Sequence, residues 1–162
     1  MRDNIDLVIF GSQGDLAKRK LLPALYRLDK ADLLPDNARI ASVARHQIST
    51  NIYLNQVQEN LQQVIPKKEW DNKVWTRFKR RIYYIKVDFS QKKQFNHVSD
   101  WMEENRKVIF YLATPPSLYE SICKHMASTG CVSENTRIVL EKPIGHDLRS
   151  SKQVNDAVGQ YF

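Results

Sequence analysis

Three short runs, Ile5 to Phe10, Val108 to Leu112 and Ile138 to Leu140, constrain the fold of this chain most. Each is predominantly apolar, rich in β-branched residues and continuous rather than alternating, the pattern of a strand buried on both faces. Ile40 to Val43 and Ile82 to Val87 are weaker strand candidates. Between them the spacing turns helical. Leu16, Leu21, Leu22, Leu25 and Leu28 share one face, as do Ile52, Leu54, Val57, Leu61, Val64 and Ile65. Residues 70–79, 95–104 and 117–128 read as further helices, with breaks at Pro66 and at Pro115-Pro116. Strand and helix alternate along the chain, which predicts an α/β fold: a doubly wound, mainly parallel sheet with helices on both faces. Asp147 is a good N-cap for a last helix from Leu148, carrying Val154 and Val158. That helix is expected to run on to Phe162, so that the chain ends inside an element and reads as truncated. Residues 1–162 are expected to form one domain, long enough to bury about 70% of the unfolded surface.

Several classes of function fall away on composition. No window approaches the roughly 18 apolar residues needed to cross a bilayer, and Met1-Arg2-Asp3-Asn4 leads into no secretory signal. Cys123 and Cys131 fit neither a CxxC motif nor a disulfide framework. A cytoplasmic protein with no membrane partner is expected. The net charge of +7 suggests an anionic partner. Lys18, Arg19 and Lys20 form one basic cluster, and Arg77, Lys79, Arg80 and Arg81 another. Solvated helix faces account for most of this charge, and a polyanionic small ligand could account for the first cluster. Nucleic acid is not expected, because no interleaved aromatics or known binding motif accompany the basic residues.

The most informative segment is Leu7-Val8-Ile9-Phe10-Gly11-Ser12-Gln13-Gly14-Asp15-Leu16-Ala17, a buried strand leading through a glycine turn into a helix. Gly11 permits a tight turn, Gly14 lets backbone approach a pyrophosphate, and Ala17 lets helix and strand pack closely. The amides and positive dipole end of the helix favour phosphate. Such a turn alone is weak evidence. Its place in the first βα unit of an alternating chain points to dinucleotide binding and a Rossmann-type sheet. A Walker loop is excluded, since no Gly-Lys-Ser/Thr follows. The second strand ends Ser42-Val43-Ala44-Arg45-His46, with a guanidinium where NAD enzymes carry an acid for the ribose hydroxyls. Arg45 can grip a 2′-phosphate that a carboxylate would repel, which favours NADP over NAD.

Gly11-Ser12-Gln13-Gly14-Asp15-Leu16-Ala17-Lys18-Arg19-Lys20-Leu21-Leu22-Pro23 resembles the opening of the glucose-6-phosphate dehydrogenases. Tyr111-Leu112-Ala113-Thr114-Pro115-Pro116 looks like that family's Ala-x-Pro-Pro turn, and Glu141-Lys142-Pro143-Ile144-Gly145 like its Glu-Lys-Pro-x-Gly motif. The likeness runs the full length of the chain, although Ser12-Gln13 is not a typical family pair. It implies an NADP site built from Gly11, Ser12, Gln13, Gly14, Asp15, Leu16, Arg45, Asp88, Ala113, Pro115, Pro116 and Lys142. Asp88 is placed beside the adenosine half, and Ala113, Pro115 and Pro116 along the path to the nicotinamide. Lys20 and Lys142 are implied to touch the sugar phosphate; a cis peptide at Pro143 would fit a fixed turn, and the sequence leaves its isomer open. Plainer readings stay open: Lys20 as a surface lysine, and Pro115-Pro116 as the end of a strand.

The resemblance also implies the reaction, oxidation of glucose 6-phosphate to 6-phosphogluconolactone with hydride transfer to NADP, the first step of the oxidative pentose phosphate pathway. A general base must take the hydroxyl proton, usually a histidine oriented by a carboxylate. His46 lies by the adenosine end, His97 and His125 fall on helices, and His146 follows the Glu-Lys-Pro-x-Gly motif. None is assigned as base, so no catalytic residue is expected here. In the family the catalytic histidine and the Asp-His-Tyr-Leu-Gly-Lys substrate motif come later, the histidine in an α+β domain. The chain is thus expected to bind NADP without turnover, to need that further domain for glucose 6-phosphate, and to belong to a family of homo-oligomers. A stand-alone NADP-binding or sensor module without chemistry is the alternative. A short-chain dehydrogenase fails, because the one Tyr-x-x-x-Lys spacing, Tyr26 to Lys30, sits on the first helix.

Overall fold

The computed structural model describes residues 4–142 and 144–162. Among them five strands form one sheet: β1 (Ile5–Phe10), β2 (Arg39–Ala44), β3 (Ile82–Lys86), β4 (Lys107–Leu112) and β5 (Thr136–Leu140). Their order is β3-β2-β1-β4-β5, and every neighbouring pair is parallel. The expected doubly wound sheet is present, and all five strands match the apolar runs to within two residues.

Alternation along β1 shows why two helical layers are needed. Val8 and Phe10 face one core, where they meet Val43, Phe110, Phe95, Ile122 and Met126. Ile9 faces the other, with Ile40, Tyr26, Tyr53, Leu61 and Phe78. The second core is covered by α1 (Leu22–Lys30), α2 (Thr50–Val64) and α3 (Asn72–Lys79); the first by α4 (Asn96–Trp101), α5 (Tyr119–Ser128) and α6 (Leu148–Gly159). A strand with an apolar face on both sides stays dry only under such a double cover.

Helix ends follow capping chemistry more closely than hydrophobic spacing. Asp71 accepts from the Lys73 amide at 2.8 Å, so α3 starts at Asn72 rather than at Trp70. Phe95 to Glu104 was expected to be one helix. Instead a 3-10 turn at Lys92–Phe95 leads into a short α4, and Asn105 at φ 63° turns the chain towards β4. Likewise a 3-10 turn at Pro116–Leu118 precedes α5. The last helix does not run on to Phe162. It closes at Gly159, a poor helix former, and its start is fixed by a capping box between Asp147 and Ser150.

At the amino edge of the sheet two buried carboxylates hold the strands in place. Asp6 is bonded by Arg39 Nε at 2.9 Å and by Arg106 Nε at 2.7 Å. Asp29 pairs with Arg81 at 2.8 Å and Arg77 at 3.1 Å. Much of the second basic cluster is therefore structural.

Candidate functional site

The switch point of the sheet lies between β1 and β4, whose connections leave in opposite directions. Ligands of open α/β sheets bind outside the carboxyl ends of the strands at such a point. Gly11 follows β1 there with φ 85°, and Ala113 follows β4. The Ala113 amide donates to the Phe10 carbonyl at 2.9 Å. A Cβ on residue 11 would stand 2.5 Å from the Ala113 carbonyl oxygen. Only glycine allows both this conformation and this approach.

The loop is tied down from beneath and left open above. The amides of Gly11 and Ser12 both donate to the Val43 carbonyl, at 2.9 and 3.2 Å, and the Gly14 amide donates to the Gly11 carbonyl at 3.0 Å. Among the described residues the amides of Gln13, Asp15 and Leu16 find no backbone acceptor. They are the unpaired donors that the start of a helix always presents. Ser12 is buried beneath the loop. Its hydroxyl gathers with those of Ser42 and Tyr53, near enough for each serine to ease the burial that pushes the Tyr53 phenol up, though none of the three makes a well-formed hydrogen bond.

The helix that follows is not regular. Asp15 and Leu16 are helical, but Ala17–Leu21 is a π-helical turn. Asp15 is exposed and makes a loose pair with Arg19 at 3.9 Å. Lys20 is exposed on the same turn. Asn60 of α2 donates through Nδ2 to the Lys18 carbonyl at 2.6 Å.

The remaining predicted residues follow the carboxyl ends of other strands. Arg45 is exposed beyond β2. Next to it His46 shares a 2.6 Å hydrogen bond between its Nδ1 and Gln13 Oε1, while its carbonyl accepts from the Tyr84 hydroxyl at 2.7 Å. Asp88, beyond β3, accepts from the Ser90 hydroxyl at 2.7 Å and the Ser90 amide at 3.0 Å. These bonds, with the nearby Arg45 and Lys86 cations, hold its carboxyl below the ordinary carboxylate range. Pro115 and Pro116 are exposed beyond β4, and Lys142 is exposed beyond β5. The peptide preceding Pro143 lies outside the described residues. The strands thus bring Gly11, Arg45, Asp88, Ala113 and Lys142 to one edge.

Sequence reasoning missed Asn60 and the Gln13–His46 pair. A proline inside a helical pattern, Pro23, was the available signal for the irregular turn. His97 Nδ1 and His125 Nδ1 each lie 3.2 Å from a backbone carbonyl, and no described histidine ring hydrogen-bonds a carboxylate. Among the described residues no cluster of His, Cys, Asp or Glu could hold a metal, and no helix is long and apolar enough to cross a membrane.

A parallel sheet in this order, with a glycine turn and open amides at its switch point, defines a dinucleotide-binding domain of the Rossmann type. Its family is narrower than that. Residues 8–162 match the family described as "Glucose-6-phosphate dehydrogenase, NAD binding domain", and the chain belongs to it. It is 37% identical over 158 residues to the glucose-6-phosphate 1-dehydrogenase of Dickeya dadantii (strain 3937), covering 97% of this chain and 32% of that one. Identity to the enzyme of the same name from Mycolicibacterium smegmatis (strain ATCC 700084 / mc(2)155) is 39% over 166 residues, covering 99% and 34%. The crystal structure of glucose-6-phosphate 1-dehydrogenase from Mycobacterium avium superposes with a TM-score of 0.91 at 28% identity, covering 100% of this chain and 35% of the other. The chain spans about a third of the length of the relatives it matches.

Proposed function

We propose that this chain binds NADP along the carboxyl edge of its sheet, as the coenzyme-binding part of a glucose-6-phosphate dehydrogenase. The observation that carries this is the cradle at the switch point. Gly11 is pressed against the Ala113 carbonyl, and the amides of Gln13, Asp15 and Leu16 lack backbone acceptors. A pyrophosphate is the ligand such donors suit, at the positive end of a helix. Gly11 and Gly14 present no side chain of their own to the phosphates. Arg45 takes the 2′-phosphate of the adenosine half, with Asp88 beside it. Ala113, Pro115 and Pro116 line the way to the nicotinamide end. Lys142 and Lys20 meet both coenzyme and the phosphate of glucose 6-phosphate, with Lys142 at the sheet edge and Lys20 on the π turn.

Bound NADP supplies the hydride acceptor for oxidation of the anomeric alcohol. The chain's own residues supply binding and orientation; the proton acceptor is not among its four histidines. NADP uptake without turnover follows. Glucose 6-phosphate mixed with NADP and the pure chain is expected to give no rise in NADPH absorbance, and a steady rise would contradict the assignment. Coenzyme choice is tested by calorimetric titration with NADP and with NAD. The chain is expected to prefer NADP, and Arg45→Ala to reduce that preference by about 1–3 kcal/mol, the scale of a charge-assisted hydrogen-bonded pair. Equal affinity for the two coenzymes in the unsubstituted chain would overturn the role of Arg45.

A further inference from the structure

Pro23 stands within the first helical stretch, where it has no N–H to donate and its ring crowds the carbonyl four residues back. The backbone responds with a slip of one residue. The Leu22 amide bonds the Ala17 carbonyl, five residues back, and so leaves the Lys18 carbonyl without its helical donor. Asn60 provides the missing donor from α2, at 2.6 Å. One extra residue in a helix rotates everything before it by about 100° relative to everything after. The basic triplet Lys18-Arg19-Lys20 lies within this turn, directly behind the open amides of the loop, so its direction depends on the slip. Lys18 and Asn60 also line one polar cavity of about 450 Å³ beside that loop, together with Gln13 and His46.

Given the coenzyme-binding reading above, we propose that Asn60 is a positioning residue. By holding the Lys18 carbonyl it fixes the π turn, and with it the direction in which the basic triplet meets the phosphates of the dinucleotide. Asn60 touches no ligand in this role. It acts through the backbone of the turn, and Pro23 is the reason a side-chain donor is needed there. The triplet is thereby set by the pairing of two elements, the π turn and α2.

Titration of the 162-residue chain with NADP tests this in two backgrounds, the parent and a Lys18→Ala/Lys20→Ala variant, with a melting curve taken for each protein. In the parent, Asn60→Ala is expected to weaken NADP binding about three- to tenfold, the effect of one lost hydrogen bond. Asn60→Asp, of equal shape but unable to donate, is expected to weaken it at least as much. In the background without the two lysines, the same changes are expected to shift affinity less than about twofold, because residues acting through one another are not additive. Unchanged affinity for both Asn60 variants beside a parent that binds would overturn the positioning role alone. An equal loss in both backgrounds would overturn it too, by showing that Asn60 does not act through the triplet. A parent chain that takes up no NADP would overturn the coenzyme reading itself, and the role of Asn60 with it.

Discussion

At the scale of single residues, Gly11 combines two demands that no other side chain meets. Its φ of 85° lies in the left-handed region, and its open side faces the Ala113 carbonyl. Gly11→Ala is therefore expected to cost about 1–3 kcal/mol of stability through backbone strain alone, and to abolish NADP binding because the loop must shift. Thermal melting and titration check the two effects; a variant that melts and binds like the parent would contradict both. Asp6 makes the opposite kind of demand, as a fully buried carboxylate shared by Arg39 and Arg106. Asp6→Ala leaves the buried Arg106 without its carboxylate, and a loss of about 3–5 kcal/mol is expected in denaturant unfolding. The tight turn at Gly11 was legible in the sequence, since its meaning comes from neighbours a few positions away. Asp6 was not. It sits in an apolar run, and its partners come from positions 33 and 100 residues further on. Asn60 escaped for the same reason, being 42 residues from the carbonyl it serves.

Among the elements, strands were easier to place than helix ends. Largely apolar strands such as Ile5–Phe10 and Lys107–Leu112 leave little freedom, because both faces need cover. Helix limits depend on single caps, and hydrophobic spacing around Trp70 or Met102 carries no sign of them. Asp71→Ala is expected to destabilise the chain by about 0.5–2 kcal/mol, with α3 fraying first, as hydrogen exchange at Lys73 and Val74 would show. Asp147 offers a test by pH. The Ser150 amide and hydroxyl hold its carboxyl below the ordinary carboxylate range. The folded state thus binds this proton less readily than the unfolded one. The stabilisation is present in full above the usual carboxylate pKa of about 4, and fades as pH falls through the lowered folded value. Asp147→Ala is expected to flatten the acid limb of the stability curve in that window while leaving its slope near neutrality unchanged. An identical acid limb in parent and variant would contradict the cap.

Over the whole molecule, charge is divided between the two edges of the sheet. At the amino edge, Arg39, Arg77, Arg81 and Arg106 are occupied with Asp6 and Asp29, so these four cations serve the fold and are largely balanced where they stand. At the carboxyl edge, Arg45 and Lys142 are exposed beyond β2 and β5, and Lys20 is exposed on the π turn beside the open amides. Composition could not separate the two sets, because the difference is one of topology: parallel strands carry every residue that follows them to the same side. On the proposed reading a dinucleotide lies across that side at the switch point. Amide NMR of the chain during titration with NADP tests it most directly. Shift changes are predicted to centre on Gly11 to Leu16 and on Arg45, and to extend to Ala113. Changes centred instead on the arginines of the amino edge, or none at saturating NADP, would contradict it.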